Sequence, residues 1–356
     1  MTKVSVLMSV YNGEPYLREA VESILKQTFR DFDFVIVDDG STDNAWQILT
    51  AYAAQDSRIV LIRNEENIGL DRSLNKGLML TRGKYIARQD ADDVSLPDRL
   101  MLQTNLLDSH PEIGALGTAV ENIDEQGISL GKHHVPLDHA SLQARLLMNN
   151  CFHHSSMMIR QSLLQKLGGY DERMRYVEDY DLWWRLSGLA RIANLPDVLV
   201  CRRRSGGSVI RRYRQQMLKA ALEISLKAVR ESLKGRFLDE ETYKRFWWAY
   251  HTQYEQLEGV NNRLQPGDIK RLQPFWDLLA TYPAGPQIWG PRLRTLAHNL
   301  LRCQQTDKGV QLLWVVAYRL TTPILWRPTL KSFVEPYVPV IGQRFWRTWQ
   351  LKRTGT

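Results

Sequence analysis

Three carboxylates close a short apolar run: Lys84-Tyr-Ile-Ala-Arg-Gln-Asp-Ala-Asp-Asp93 ends in Asp90, Asp92 and Asp93. Acids crowded this closely repel one another, so they need a cation or a hydrogen-bonding ligand. The structural alternative is a turn leading into a helix N-terminus, capped by Ser95 or Asp98. Asp38 and Asp39 close a second apolar run, Phe32-Asp-Phe-Val-Ile-Val37, and Tyr11, Asn12 and Glu14 follow a third that starts at Lys3. Whether these groups can act together depends on the elements that carry them.

The apolar runs are short and rich in β-branched residues, which reads as buried strands. Between the first two, Leu17, Ala20, Val21, Ile24 and Leu25 recur at helical spacing. Thr42 or Asp43 is placed to cap a second helix, with Trp46, Leu49 and Ala53 on its inner face. Arg58–Ile62 reads as a third strand, Leu70–Thr81 as a helix and Lys84–Arg88 as a fourth strand. Strands alternating with helices of this length give βαβ units, hence an α/β fold with a mostly parallel sheet. Ligands of such sheets bind outside the carboxyl ends of the strands. That single rim would collect Asp38, Asp39, Asp90, Asp92 and Asp93, more acid than a purely structural sheet requires. The usual dinucleotide fingerprint, Gly-x-Gly-x-x-Gly, is absent. Further on, the pattern predicts helices over Pro97–Leu107, Leu142–Met148 and Asp181–Leu189. Strands are expected over Gly114–Val120, Ser155–Ile159 and Ala193–Cys201.

At 356 residues the chain has room for a catalytic domain and an appendage. A change of composition after Arg202 divides it into 1–210 and a mainly helical 211–356. The basic residues concentrate late: 27 Lys and Arg against 11 Asp and Glu from residue 202 onward, 20 against 28 before it. That asymmetry points to an acidic partner for the C-terminal region. Its Trp, Tyr and Phe residues interleave with arginines, as at Trp314, Arg319, Trp326, Arg327, Trp346 and Trp349. Helix packing accounts for such residues, and so does docking on a membrane surface. Nucleic acid is not the expected partner, because no recognised binding module is present. Cys151, Cys201 and Cys303 have neither zinc nor disulfide spacing and are expected as free thiols of a reducing compartment. Met1 opens directly on a strand with no leader pattern, and Val310–Tyr318, the longest apolar candidate, is too short to span. The expected location is therefore cytoplasmic, with peripheral contact on the inner face of the membrane.

Five segments, in order, resemble glycosyltransferase family 2, inverting enzymes of the GT-A fold that use nucleotide sugars. They are Val4–Leu17, Val35–Asp43, Asn64–Gly69, Tyr85–Asp93 with Pro97 and Arg99, and Val177–Trp183. The resemblance covers about residues 1–210 and does not extend to the C-terminal region. It implies that Tyr11 lines a nucleobase pocket, that Asp39 accepts from a base such as uracil, and that Glu14 sits beside the nucleoside. Asn12 and Asp38 flank these positions. Asp90-Ala91-Asp92 matches the family's Asp-x-Asp, with Asp90 near the ribose and sugar and Asp92 as metal ligand; Asp93 is a neighbouring candidate. An all-oxygen site of this kind suits Mn2+ or Mg2+, which takes up charge as the nucleoside diphosphate leaves. Glu178-Asp179, just before a predicted helix, resembles the family's Glu-Asp pair, whose Asp is the general base. Asp181 is the structural competitor, placed to cap that helix.

Two departures stand out. Where relatives often carry a histidine near the diphosphate, this chain has Cys201-Arg-Arg-Arg-Ser. Arg204 lies nearest that place and could bind phosphate, although a guanidinium cannot ligate a metal; a solvated basic loop is the other reading. Leu74 stands where many relatives have arginine, with Arg72 as a substitute. His153 and His154 could reach an acceptor pocket and read equally well as structural, and Glu65 and Glu66 read as a solvated turn. The resemblance thus implies transfer of a sugar from a UDP-linked donor to a hydroxyl of a growing, lipid-linked glycan, as in bacterial lipopolysaccharide or capsule synthesis. A sugar-phosphate nucleotidyltransferase is the first alternative, but Tyr11-Asn-Gly-Glu-Pro15 is neither glycine-rich nor basic enough for a triphosphate. A non-catalytic glycan-binding protein would have no use for Asp90, Asp92, Glu178 and Asp179 together.

Overall fold

A computed structural model describes residues 2–204, 213–252 and 268–282 of the chain. Its centre is β1 (Val4–Val10), buried along its whole length between β2 (Phe32–Asp38) and β4 (Tyr85–Arg88), both parallel to it. β3 (Ile59–Arg63) adds in parallel outside β2. Alternation along β1 sends Val4, Val6, Met8 and Val10 into one core and Leu7 into the other. The crossovers are α1 (Glu14–Leu25), α2 (Ala45–Gln55) and α3 (Leu70–Leu78). Pro15 in the first turn of α1 has its φ already set for a helix, and Leu17, Ala20, Val21 and Ile24 bury its inner face. α3 lies close against the sheet at Gly77, where a Cβ would stand 2.4 Å from Leu7 Cδ1.

Beyond β4 the sheet is mixed. The order is β3-β2-β1-β4-β8-β6-β9-β5, with β7 paired to β6. β8 (Met158–Arg160) runs antiparallel to both β4 and β6 (Ile113–Ile123), while β9 (Arg191–Arg203) runs parallel to β6. β5 (Val94–Ser95) and β7 (Ser129–His133) are antiparallel additions. The expected parallel arrangement therefore holds for the four strands that carry the first acids. The expected strand over Ser155–Ile159 is shorter, because His154–Ser156 form one turn of 3-10 helix. α4 (Arg99–Ser109), α5 (His139–Leu146), α6 (Gln161–Leu167) and α7 (Glu178–Ser187) complete the layers. Asp98 occupies the cap position of α4, yet its carboxylate accepts from Thr28 Oγ1 at 2.9 Å instead. Asn44 holds that position on α2, and Asp43 Oδ1 accepts from the Ala45 N–H at 3.0 Å.

The chain divides into two compact units, 1–228 and 229–356. Helix α8 (Arg214–Leu233) contributes Ile224 to the core of the first. In the second, α9 (Glu240–Thr252), α10 (Asp268–Arg271) and α11 (Gln273–Ala280) bury Tyr243, Phe246, Trp247, Phe275 and Trp276. Arg245 closes on Asp268 at 2.9 Å. Packing thus accounts for Trp247, Trp248 and Trp276; the later tryptophans, the Val310–Tyr318 segment and Cys303 lie outside the described residues. Cys151 and Cys201 are free. Among the described residues no helix is long and apolar enough to cross a membrane.

Candidate functional site

Four parallel strands deliver their carboxyl ends to one rim, but not at one level. Val10 pairs with Asp38, whereas β4 ends three residues lower, with Arg88 opposite Leu7. The chain after β4 therefore starts inside the rim, with the Gln89 N–H on the Leu7 carbonyl at 3.0 Å. β5 then ties its far end to β9. Below it, Arg99 is fully buried and donates to the Arg88 and Met157 carbonyls at 2.8 and 3.2 Å and to Gln89 Oε1 at 3.1 Å. The acid-bearing loop is thus anchored from three sides.

The loops after β1 and β2 are locked together. Asn12, at φ +52°, accepts from the Thr42 N–H at 2.9 Å and donates its own N–H to Ser41 Oγ at 3.0 Å. Glu14 accepts from Asn44 Nδ2 at 2.7 Å, while its N–H donates to Asp43 Oδ2 at 2.9 Å. The position beside a nucleoside expected for Glu14 is thus also a strut between two helix N-termini. Asp39 is buried and accepts from Asn64 Nδ2 at 2.8 Å and from the Ile68 and Gly69 N–H groups at 3.0 Å each. A carboxylate offers about four acceptor sites, so one remains for a ligand. Gly40 permits the crowding: at φ +69° its missing Cβ would lie 2.6 Å from the Glu66 carbonyl carbon. Asp38 is buried with Oδ2 3.0 Å from Arg63 Nε. Tyr11 presents its ring at the rim, 51% exposed.

Asp90, Asp92 and Asp93 have three different environments. Arg88 Nη2 sits 2.6 Å from Asp90 Oδ1 and Ser155 Oγ donates to Asp90 Oδ2 at 2.6 Å. Burial works against the Asp90 charge, but Arg88 above all outweighs it and holds the carboxyl below its ordinary value. Asp93 is buried, in contact with Ser155 Oγ and accepting from the Arg203 N–H at 2.9 Å. Burial, then Asp92 and Asp90, push it well up. Asp92 is raised by burial and by Asp90 and takes no hydrogen bond from another described side chain. Among the described residues no group of three His, Cys, Asp or Glu is arranged to hold a metal alone. Asp92 fits a cation whose remaining ligands come from a bound molecule: a carboxylate that is hard to ionise, bonded only by its own backbone N–H among the described residues and partly exposed gains most from a hard divalent ion.

Glu178 and Asp179 are the first two residues of α7, which begins about one turn earlier than the expected start at Asp181. Asp179 is partly exposed; Oδ2 accepts from Asn150 Nδ2 and Oδ1 from the Tyr180 N–H, both at 2.7 Å. Burial, with a contribution from Asp90, raises it above the ordinary carboxylate value despite those bonds. Glu178 is buried and raised further, by burial and by Asp179. Asp181 is not the cap. It lies inside the first turn, buried, with Arg185 Nε at 2.6 Å, and Val177 occupies the cap position. Arg72 is exposed and pairs with Glu172 at 3.3 Å, while Leu74 is buried in the core, so neither offers a cation in the place noted above. Arg204 is exposed and donates to Asn122 Oδ1 at 3.0 Å.

The site also gathers residues that the sequence left aside. Arg88 and Ser155 fix Asp90, Asn150 fixes Asp179, and Arg202 stands beside the acid loop. His154 bonds Tyr170 Oη at 2.8 Å, and burial drives its pKa down to about 3, so it is neutral. One signal was available for Arg88: a charge at the end of an otherwise apolar strand needs a partner near the rim.

The sequence profile of Glycosyl transferase family 2 matches residues 5–168. The amylovoran biosynthesis glycosyltransferase AmsE of Erwinia amylovora is 34% identical over 223 residues, covering 62% of this chain and 83% of AmsE. The chain belongs to glycosyltransferase family 2. The glycosyltransferase MJ1057 of Methanocaldococcus jannaschii is 40% identical over 186 residues, 51% of this chain and 63% of that protein's length. Among solved structures, S. aureus TarS 1-349 in complex with UDP-GlcNAc aligns with a TM-score of 0.55 at 19% identity, over 89% of this chain and 91% of that one. A mannosyltransferase of Pyrobaculum calidifontis with GDP-Man and Mn2+ aligns with a TM-score of 0.50 at 18% identity, over 89% and 87%. The fold of this glycosyltransferase is accordingly that of the GT-A enzymes.

Proposed function

We propose that this family 2 enzyme transfers a sugar, with inversion, from a nucleoside-diphosphate donor to a hydroxyl of a growing, lipid-linked glycan. The observation that carries the reading is the meeting of Asp179 and Asp90: residues 89 apart in sequence feel each other's charge at the rim. Tyr11 would stack on the base. The remaining acceptor site of Asp39 would take a base N–H, which favours uracil. Asp90 would face the ribose and sugar. Asp92 would hold a divalent cation together with diphosphate oxygens; when bound, that ion neutralises charge on the departing diphosphate. Asp179 would accept the acceptor hydroxyl's proton as its oxygen attacks the anomeric carbon. The bond from that carbon to the phosphate oxygen breaks, and its electron pair leaves with the nucleoside diphosphate. The raised pKa of Asp179 makes it a stronger base than an ordinary aspartate while still ionised near neutrality. The amylovoran role in the name of AmsE and the basic bias after residue 202 support a cell-surface glycan carried on an anionic lipid.

The test is Asp179→Asn. The amide keeps the hydrogen-bonding shape toward Asn150, so nucleotide affinity should persist while transfer disappears. Transfer at the wild-type rate would remove Asp179 from the role of base. Thermal-shift assays with uridine and guanosine diphosphate sugars and Mn2+ test the donor. Stabilisation by guanosine donors alone would overturn the assignment of Asp39 to uracil.

A further inference from the structure

We infer that Asn150 is a positioning residue of the reaction: one amide hydrogen holds Asp179 aimed, and the other binds the acceptor sugar beside the attacking hydroxyl. This rests on the reading of Asp179 as base above. Asn150 follows α5 in a turn that is tied to the helix carrying the base. Tyr180 Oη donates to the Leu146 carbonyl at 2.6 Å, and Phe152 lies against Trp183 with ring centroids 5.8 Å apart. Ser225 Oγ of α8 adds a third tie, donating to the Leu147 carbonyl at 2.6 Å. Asn150 and Asp179 are therefore held in one piece, although 29 positions separate them.

The partners of the amide decide its orientation. The Phe152 N–H only donates, and it meets Asn150 Oδ1 at 3.0 Å. Nδ2 then donates to Asp179 Oδ2 at 2.7 Å, while Oδ1 of that carboxylate accepts from the Tyr180 N–H at 2.7 Å. A donor on each oxygen fixes the carboxylate plane and leaves each oxygen a lone pair for a ligand. Nδ2 carries a second hydrogen, for which the described residues supply no acceptor. Both side chains are partly exposed. An oxygen that gives its proton to Asp179 Oδ2 thus stands next to an unused donor. Sugars present hydroxyls in adjoining pairs, so the chemistry fits a vicinal diol: one oxygen attacks, and its neighbour accepts from Asn150.

The same bond works on the proton affinity of the base. Burial raises Asp179 to about 6, and Asn150 is the largest opposing influence, because its hydrogen favours the charged form. No other group nearby takes its place. Glu178 on the same helix and Asp90 after β4 are acids, burial keeps Tyr170 a neutral phenol, and Asp71 of α3 and Arg88 of β4 act on Glu178. Lys227 of α8 faces Asp181 at 3.8 Å, and Arg145 of α5 acts on Cys151 and His133.

The carboxyl-carbon chemical shift of labelled aspartate follows Asp179 directly across pH in wild type, Asn150→Ala and Asn150→Asp; its resonance is the one missing from Asp179→Asn. Asn150→Ala should move the titration of Asp179 up by about one pH unit, the worth of one hydrogen bond to a charged group. Asn150→Asp separates this role from a structural one. Its carboxylate still accepts from the Phe152 N–H and holds the turn, but gives no hydrogen to the base. Two carboxylates in contact share a proton, so Asp179 should stay protonated to still higher pH. In transfer from UDP-sugars to octyl glycosides with Mn2+, Asn150→Ala should be about 10-fold slower near pH 5, the deficit shrinking as pH rises. The acceptor KM should rise about 5-fold in both variants while the donor KM stays constant. If Asn150→Ala fails to fold, Asn150→Asp, which keeps the turn, carries the test. An unshifted Asp179 in a folded variant, or full activity of Asn150→Asp, overturns the inference and leaves the base standing. An unchanged acceptor KM, or no transfer by the wild type to any glycoside with a vicinal diol, overturns the contact with the acceptor. Wild-type transfer by Asp179→Asn overturns the base itself, and the inference with it.

Discussion

The two halves of the site are built on opposite principles. Around Tyr11, the polar groups of Asn12 and Glu14 are bonded to the neighbouring loop, and Asp39 takes three hydrogen bonds. Around Asp92, Asp93, Glu178 and Asp179, carboxyls are crowded, partly or wholly buried and raised in pKa. The first half spends its polar groups on holding a shape, which suits recognition of a rigid nucleoside. The second holds charge in unfavourable surroundings that a substrate or cation would improve. On the proposed reading, recognition is thereby separated from reaction within one rim.

Asp179→Asn should break the reacting half most completely, lowering turnover by about 10²–10⁴-fold with little change in melting temperature. The recognition half should respond the other way. Asp39→Ala removes the acceptor for three donors, and urea unfolding should show a loss of about 3 kcal/mol alongside failure to bind nucleotide. An Asp39→Ala protein of unchanged stability would show that the loops do not depend on this carboxylate.

Glu178→Gln tests the cost of the buried acids. Glu178 is raised from its ordinary value of 4.5, so the folded state binds its proton more tightly than the unfolded chain does. Its contribution to stability is therefore present below that ordinary value and is lost as pH rises through the folded pKa. Denaturation at pH 4 and pH 8 should find Glu178→Gln about 2 kcal/mol more stabilising, relative to wild type, at the higher pH. An equal effect at both pH values would contradict it. The smallest effect is expected from Ser155→Ala, which deletes the hydroxyl between Asp90 and Asp93. It should cost about 1 kcal/mol and weaken donor binding a few-fold in Mn2+.

Much of the first half was legible because each of its residues follows a strand whose hydrophobic pattern is plain. Tyr11, Asp39 and Asp90 could be placed on one rim from strand order alone. The second half was less so. The exposed pairing of Arg72 with Glu172 and the outward turn of Arg204 depend on which distant residue each side chain meets, 100 and 82 positions away in the chain. The role expected of Asp181 as a cap failed because the helix begins at Glu178, and helix ends are set by local packing that propensity does not resolve. His153, which read equally well as structural, acquires a direction only through His133 and Arg202, partners 20 and 49 residues away.

Local order in the chain settled the α/β class, the family and the acids at the strand ends, since periodicity and short motifs are properties of neighbouring residues. The level at which β4 stops, the burial that raises Asp93, Glu178 and Asp179, and the meeting of Asp90 with Asp179 came only with the assembled sheet. Register, desolvation and long-range charge act through space between residues far apart in sequence, and no local pattern encodes them.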